Sequence, residues 1–353
     1  MPGRCRVALL LLFAIGISAC GKHGPTAGPG STEGTPLQIS NAAVLYLNQY
    51  RGQSGQPPVT EEPAMDTAAV AHAGWMVLEN NGLTHFETVD GTPGGVPATT
   101  NPIFTAVAVA DRVRAQNLGL DILPNAVYSE TISSIPGPES ITWMWNTVYH
   151  RLPLMRHGLS MVGFGDWDAS LDNYPYDGLP AGSGYATLDC AQDPTITTVI
   201  AASWPATATV GMLLFYDPNT EIPNPFNPAN TGQNPPTVAT GQIGPPLHII
   251  LPTSQDWGTI SMAVTIQGTS VPLPLYLLCG GTSVPTLTGP ATTPASTVST
   301  DTQLQQGEIL FMAQGPLVPN TSYQAVLTAS TVGTIPDTIQ VGVSAPWTFT
   351  TGN

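Results

Sequence analysis

A run of prolines divides this chain of 353 residues into two parts that have to fold differently. Between residues 217 and 246 stand eight prolines: Pro218, Pro223, Pro225, Pro228, Pro235, Pro236, Pro245 and Pro246. Because proline fixes φ and has no backbone N–H, such a stretch can form neither a regular helix nor a central strand. We therefore predict a linker at 217–246, with one folded domain on each side of it.

The two parts differ in their hydrophobic patterns, which together predict an α+β protein. Residues 37–216 mix helical and strand-like segments. The second part, 247–353, contains short strand-like runs at 247–251, 260–267, 274–278, 309–314, 323–329, 339–343 and 347–350. Short strands rich in β-branched residues and separated by Gly, Pro, Ser and Thr are typical of an all-β sandwich. The segment 282–300, rich in Thr, Ser and Pro, is predicted to be a long loop within that sandwich.

The N-terminus has the features of a secretory signal. Arg4 and Arg6 precede an apolar run that is too short to span a bilayer and that ends in Ile-Ser-Ala-Cys. This ending resembles a bacterial lipobox, which implies a signal peptide at 1–19 and acylation of Cys20, for instance by palmitate. An ordinary cleaved signal that ends near a cysteine is the alternative. Gly21 after the cysteine favours the outer membrane if the cell is Gram-negative, and the Gly- and Pro-rich residues 20–36 are predicted to be a flexible tether.

The charge of the chain argues against two classes of partner. The sequence has 8 Lys and Arg against 23 Asp and Glu, a formal net charge of −15, and nothing after Arg156 is Lys or Arg. Binding to nucleic acid or to an anionic lipid surface relies on clustered positive charge. We therefore expect no nucleic-acid partner, and we expect contact with the membrane to depend on the lipid anchor.

The cysteines leave one possible disulfide. Cys5 belongs to the predicted signal peptide and Cys20 to the anchor, so only Cys190 and Cys279 remain. In an oxidising compartment these two residues could pair and join the two parts of the chain. Two separately buried thiols are the alternative.

The scarce cations are concentrated in one place. His150, Arg151, Arg156 and His157 fall within eight positions. Positive groups packed this closely in an acidic chain need carboxylates nearby, which predicts a buried or cleft-lining polar network. We expect Arg151, Arg156 and His157 to anchor the loop that follows them by pairing with carboxylates.

Several segments of the first part resemble the CAP superfamily, the SCP-like proteins that include cysteine-rich secretory proteins, antigen 5 and pathogenesis-related proteins. The resemblance is carried in order by 46–51, 55–60, an Ala-rich helix that begins at Pro63 and contains His72, 80–85, Ser-Glu-Thr-Ile at 129–132, Trp145 to Arg151, and Val-Gly-Phe-Gly at 162–165. It implies an α-β-α sandwich at 37–216. The second part resembles the Ig-like extension of such proteins, including the closing Trp-Thr-Phe-Thr-Thr.

The resemblance also implies a cleft lined by two histidines and two glutamates. On this sequence His85 matches the first histidine, Glu130 the glutamate of the Ser-Glu-Thr-Ile segment, and His150 the second histidine. The second glutamate has no clear match, and Glu139, six residues before Trp145, is the nearest candidate. His72 lies on the apolar face of its helix and is expected to be a hydrogen-bonded core residue.

Two metal sites are conceivable from the residue types. His85, His150 and Glu130 could hold Zn²⁺ or another divalent ion with one position open, or the histidines could simply hydrogen-bond to Glu130 and to the backbone. A second acidic set, which could bind Ca²⁺ or be a solvated loop, comprises Asp166, Asp168, Asp172 and Asp177.

Other polar and aromatic residues have simpler interpretations. Arg112 and Arg114, which follow Asp111 on a probable helix, are expected to form structural salt bridges. The tryptophans near the histidine run are expected to pack in the core or in the cleft wall, where they could also form an aromatic lip for a lipid or sugar: Trp143, Trp145 and Trp167.

These observations leave three functional hypotheses. The first is a lipid-anchored extracytoplasmic binding protein whose cleft takes a small hydrophobic ligand, such as a lipid or sterol, or a divalent metal. The second is a hydrolase of peptides or lipids in which Glu130 or a metal-bound water acts as the base. The third is a structural envelope protein with a vestigial cleft.

Overall fold

The helices of the first part follow from its hydrophobic periodicity. In the computed structural model they are α1 (Pro36–Gln53), α2 (Pro63–Glu79), α3 (Val109–Gln116), α4 (Ser140–Trp145) and α5 (Arg151–Met155). The second helix begins at Pro63 as predicted, and the residues of its apolar face are all buried: Met65, Ala68, Ala69, His72 and Met76. An inward stripe at this spacing is what a helix packed against a sheet requires.

The structure describes most of the chain beyond residue 35. The described residues are 36–79, 82–101, 103–168, 184–197, 201–221, 224–226, 242–252, 257–280, 286–289, 291–292, 297–331, 338–339 and 347–353. The predicted signal peptide, Cys20, nearly all of the predicted tether, Asp172 and Asp177 lie outside them. Within these ranges, no helix combines the length and apolar character needed to span a bilayer.

A mixed sheet of four strands packs against α2. Its strands are β1 (Thr60–Glu61), β2 (Val127–Ser133), β3 (Leu159–Asp168) and β4 (Gly184–Gln192), in the order β1-β3-β4-β2. The β3 strand carries the Val-Gly-Phe-Gly segment. A Cβ added to Gly163 would collide with the backbone of Met65, and one added to Gly165 would collide with the backbone of Val70. Two glycines at a spacing of two therefore let α2 lie directly on the sheet.

We expect Gly165→Ala to lower the free energy of unfolding by about 3 kcal/mol, since the clash is with helix backbone that cannot rotate away. Urea unfolding followed by tryptophan fluorescence measures this change. Gly52→Ala is the matched control, because a Cβ at that position would meet nothing within 4 Å. Similar losses in the two variants would contradict the close packing of α2 on β3.

Two further sheets form from residue 202 onward. One contains β5 (Ala202–Trp204), β7 (Leu247–Ile250), β9 (Leu275–Cys279), β11 (Thr297–Thr300) and β12 (Glu308–Ala313), in the order β11-β9-β12-β7-β5. The other contains β6 (Thr209–Met212), β8 (Trp257–Ile266), β10 (Thr286–Thr288), β13 (Ser322–Thr331), β14 (Thr338–Ile339) and β15 (Trp347–Thr351), in the order β10-β8-β13-β15-β6 with β14 on β13. The chain is therefore α+β, as predicted.

The segment 282–300 differs from the prediction of a loop. It contains β10 and β11, which add to the edges of the two sheets by parallel pairing with β8 and β9. Both short strands are rich in threonine, which is compatible with a pleated edge as well as with a loop. Composition alone therefore did not distinguish the two.

The two parts of the chain share one hydrophobic core. Leu47 of α1 and Trp145 of α4 belong to the same buried cluster as Ile249, Phe311 and Phe349 of the two later sheets. In addition, β5 and β6 come from residues assigned by sequence to the first domain, yet β5 pairs with β7 and β6 pairs with β15. Strand pairing therefore places residues 202–212 with the second part.

Candidate functional site

A buried ionic cluster lies where α2, α3 and β2 meet. His72 comes from α2, Arg112 from α3, Glu130 from β2, and Glu87 from the loop after α2. The side chains of these four residues are at most 1 % exposed, whereas that of His85 is 43 % exposed. Of these five side chains, only that of His85 is both in contact with the buried cluster and exposed to solvent.

Arg112 is the cation around which the cluster is organised. Its Nη2 donates to Oε1 of Glu130, its Nη1 donates to the carbonyls of His85 (3.3 Å) and Val107 (3.2 Å), and its Nε lies 3.8 Å from Oε1 of Glu87. Burial acts to lower the pKa of Arg112, but the charges of Glu130, Asp189 and Glu87 outweigh it and raise that pKa. Arg112 therefore stays charged inside the protein.

Glu130 is held as a carboxylate. Burial acts to raise its pKa, but Arg112, His72 and His85 together lower it well below the ordinary value. The Oε2 atom lies 2.8 Å from Nδ1 of His85. Because an ionised carboxylate only accepts hydrogen bonds, Nδ1 of His85 carries a hydrogen and donates it to Glu130.

His72 and Glu87 fasten the loop after α2 to the helix. Nδ1 of His72 lies 3.1 Å from Oε1 of Glu87, and Nε2 lies 2.9 Å from the carbonyl oxygen of Thr84. The other carboxylate oxygen of Glu87 accepts a hydrogen bond from the backbone N–H of Thr105 at 2.9 Å. His72 is thus the buried, hydrogen-bonded residue that the helical pattern predicted, and it positions the segment that carries His85.

Asp189 adds a second carboxyl group beside Glu130. It lies directly opposite Glu130 in the β2–β4 register and is fully buried. Burial, followed by the negative charge of Glu130, raises its pKa well above the usual range. Asp189 is therefore a second buried carboxyl group whose charged form is disfavoured by burial and by the neighbouring Glu130.

A pocket opens on the exposed side of His85. Its volume is about 280 Å³. The walls come from one stretch of the loop after α2: Leu83, Thr84, His85, Phe86, Asp90, Gly91, Thr92 and Pro93. The buried cluster thus holds His85 from one side, and the pocket gives access to the ring from the other.

His150 belongs to a different cluster. Its Nδ1 lies 3.0 Å from Oε1 of Glu221 and 3.1 Å from the hydroxyl of Thr147, and its ring packs edge-on against Trp143 at 4.9 Å. The structure therefore does not bring His150 together with His85 and Glu130 as the resemblance implied. The motif spacing gave the order of these residues along the chain but not the carboxylate that each histidine meets.

The second glutamate of the buried cluster is Glu87 rather than Glu139. Glu139 is exposed just before α4, with its carboxylate against Gly137. Neither Glu87 nor Asp189 lies in a segment that carries the CAP resemblance, so motif order did not assign them to the site. A sequence signal existed for Glu87, which follows His85 by two residues.

The predicted zinc ligands do not fit the arrangement observed. Among the described residues, no three His, Cys, Asp or Glu side chains are grouped so that they could hold a metal ion. Glu130 already bonds Arg112 with one oxygen and His85 with the other. Both oxygens of Glu130 thus already have protein partners, and His150 lies in another cluster, against Glu221.

Glu221 organises the second cluster, at the start of α5. Its carboxylate accepts hydrogen bonds from the backbone N–H groups of Val148 and His150 and from the hydroxyl of Tyr216, besides the ring of His150. Burial acts to raise the pKa of Glu221, but these hydrogen bonds and the His150 ring lower it. Glu221, a residue of the predicted linker, thus accepts hydrogen bonds from the three backbone N–H groups at 148–150, which precede α5, and from two side chains.

The cation run joins the two parts of the chain. Arg156 pairs with Glu308 at 3.0 Å, and Nη1 of Arg151 donates to the carbonyl of Pro246 at 2.8 Å. Burial lowers the pKa of Arg151 to about 9, although the charge of Glu221 acts against it. The expected carboxylate partner thus exists for Arg156, whereas Arg151 donates to backbone carbonyl oxygens. His157 instead contacts the amide oxygen of Gln56, at 3.3 Å.

The predicted disulfide is not formed. Cys190 on β4 and Cys279 on β9 are both buried thiols, each within its own sheet. Burial, then the charge of Asp189, raises the pKa of Cys190, and burial followed by Asp301 raises that of Cys279 to about 11. The two strands fix the cysteines in different sheets, which the spacing along the chain does not reveal.

The remaining predictions concern simple contacts. Arg114 pairs with Asp111 at 3.1 Å and with Asp121 at 2.7 Å, so the expected salt bridges are confirmed for Arg114. Asp166 accepts a hydrogen bond from the backbone of Gly137 at 2.8 Å. Trp145 and Trp167 are buried, which agrees with packing in the core.

Comparison with known proteins gives weak likenesses. No family model matches the sequence, and no curated protein matches it. An extracellular protein with an SCP domain from Bacillus anthracis str. Ames is similar at 18% identity and a TM-score of 0.30, over 47% of this chain and 45% of its own. An outer surface protein from Borrelia burgdorferi is similar at 14% identity and a TM-score of 0.30, over 45% of this chain and 93% of its own.

The matched region spans less than half of the Bacillus protein. Likenesses with such TM-scores do not assign this chain to a family. The CAP and Ig-like resemblances are therefore still predictions from the sequence motifs.

Proposed function

We propose that this protein is an extracytoplasmic ligand-binding protein, attached to the cell envelope by a lipid on Cys20, and that its ligand binds in the pocket beside His85. One observation carries the proposal. His85 is held at 2.8 Å by the ionised carboxylate of Glu130, and the same ring lines an open pocket of about 280 Å³. A binding site needs this combination of a fixed polar group and an accessible cavity.

The buried cluster supplies the rigidity that selective binding requires. Arg112 and His72 surround Glu130, and Glu130 in turn fixes the orientation of His85. A pre-oriented side chain loses little conformational freedom when a ligand binds. The extracytoplasmic location is supported by the N-terminal signal and lipobox-like segment, and the position of the site agrees with the CAP resemblance at His85 and Glu130.

His85→Ala is expected to weaken ligand binding by about tenfold or more, because the ligand loses its fixed polar partner. The measurement is a screen of the full chain by NMR or thermal shift against fatty acids, sterols, divalent cations and small amines, followed by titration of the compounds that bind. His157→Ala is the matched control, since that histidine contacts Gln56 and does not line the pocket. A ligand that binds both variants as it binds the original protein would refute the proposed site.

A hydrolase is the second candidate, and one observation favours it. A histidine whose Nδ1 is held by a carboxylate and whose ring lines an open pocket has the arrangement of a general base. Turnover of a peptide or lipid ester that is lost in His85→Ala and retained in His157→Ala would favour this candidate over simple binding.

A further inference from the structure

We propose that the ligand of the His85 pocket is a small organic cation, an ammonium group with a compact apolar body. The inference rests on the proposed function and specifies the chemical class of the ligand.

The pocket wall offers two kinds of group that attract a cation. Asp90 contributes a carboxylate and Phe86 an aromatic ring, beside the imidazole of His85 whose Nδ1 is held by Glu130. An organic ammonium is attracted by a carboxylate and by the face of an aromatic ring. None of the eight residues that line the pocket is Lys or Arg, so the wall brings no fixed positive charge that would favour an anion.

Asp90 is fixed as an ionised carboxylate. Its Oδ1 accepts hydrogen bonds from the hydroxyl of Thr92 (2.9 Å), from the backbone N–H of Thr92 (3.2 Å) and from the hydroxyl of Thr88 (3.2 Å). These bonds, first that of the Thr92 hydroxyl, lower the pKa of Asp90. Asp90 is also exposed. The charge is therefore present at neutral pH, held in one place, and open to the pocket.

The distribution of charge over the described residues also favours a cationic ligand. Among the described arginines, Arg51, Arg112 and Arg151 are fully buried, Arg156 pairs with Glu308, and Arg114 pairs with two aspartates. The described arginines are thus committed to the interior or to ion pairs, in a chain whose formal net charge is −15. A surface of this kind concentrates cations and repels anions.

The volume of the pocket limits the size of the ligand. About 280 Å³ is at or below the lower end of pockets that enclose drug-sized molecules. Leu83 and Pro93 give part of the wall an apolar character. A compact quaternary ammonium therefore suits the pocket better than a long acyl chain or a sterol.

The test compares choline with its neutral carbon isostere, 3,3-dimethyl-1-butanol, by NMR titration of the full chain. Because the two molecules have the same shape and differ in charge, we expect choline to bind about tenfold more tightly. Raising the salt concentration should weaken the binding of choline and leave that of the isostere unchanged, because salt screens an exposed charge.

Asp90→Asn identifies the source of the preference, because asparagine keeps an Oδ1 acceptor for Thr92 and removes the charge. We expect this variant to lose most of the preference for choline over the isostere. Asp193→Asn is the matched control: Asp193 accepts the same pair of hydrogen bonds, from the backbone and hydroxyl of Thr195, but it does not line the pocket. Thermal unfolding of both variants shows that the loop remains folded, and Phe86→Leu gives an independent loss of choline binding.

Equal binding of choline and the isostere, or a choline affinity that Asp90→Asn leaves unchanged, overturns the inference. Binding of only neutral or anionic compounds in a manner that depends on His85 also overturns it, while leaving the proposed function in place. If no compound of any class binds in the region of His85, the proposed function itself fails.

Discussion

Arg112→Met is expected to lower the free energy of unfolding by about 3–5 kcal/mol, because it removes one partner of a buried ionic group. Methionine retains much of the apolar stem, but Glu130 and Glu87 are left as buried carboxylates without their guanidinium. The carbonyl oxygens of His85 and Val107 also lose a donor. We expect the loop that carries His85 to loosen as well, since Arg112 bonds directly to its backbone.

Urea unfolding followed by tryptophan fluorescence measures the effect. Arg114→Met is the matched control on the same helix, because Arg114 is partly exposed and its ion pairs lie at the surface. Its unfolding midpoint should hardly change. Acidification from pH 7 toward pH 5 should partly restore the stability of Arg112→Met, since Glu130 without Arg112 can lose its charge by protonation. Equal losses in the two variants would show that the cluster does not depend on Arg112.

Glu221→Gln is expected to lower the free energy of unfolding by about 2–4 kcal/mol, because buried donors lose a charged acceptor. The carboxylate of Glu221 meets donors on all sides, and the amide NH₂ of glutamine would face one of them. Glu221 lies in the predicted linker, and its backbone donors lie at 148–150 in the first part of the chain. We therefore expect the contact between these two segments to weaken as well. Glu139→Gln is the control, because Glu139 is an exposed glutamate close to α4.

The same residue makes a specific prediction about pH. The folded-state pKa of Glu221 is lowered, so its contribution to stability is complete above the unfolded value of about 4.3 and is lost as the pH falls through the folded value. Urea midpoints measured from pH 7 down to pH 3 should therefore fall less steeply in Glu221→Gln than in the original protein. A parallel acid decline in the two proteins would contradict the role assigned to this carboxylate.

Local patterns predicted the local structure well. The stripe Met65, Ala68, Ala69, His72 and Met76 is buried because helical periodicity alone decides which residues share a face. The strand-rich second part followed from β-branched runs between turn residues. The pattern did not reveal that 282–300 contains two short edge strands, because an edge strand and a polar loop have similar compositions.

The candidate site was predictable in part. His85 and Glu130 were selected by motif order, and the structure joins them at 2.8 Å. Glu87 and His72 complete the cluster, and neither of them was assigned to it. The association of His150 with the site was wrong in this structure, because His150 meets Glu221, 71 residues further along the chain. Motif order constrains the sequence of elements, whereas the partner of a side chain depends on which distant segment packs above it.

The sequence by itself determined that positive charge would be scarce and that each arginine would need a partner. With 23 acidic residues and 8 basic ones, an unpaired buried cation could not be stable. Only the tertiary structure decided that Arg112 would organise the buried cluster behind His85, and that Arg156 would pair with Glu308 across the proline-rich segment. The physical reason is that the cost of burying a charged side chain follows from its residue type, which the sequence gives. The contact that compensates this cost is long-range, and it is set by the path of the chain.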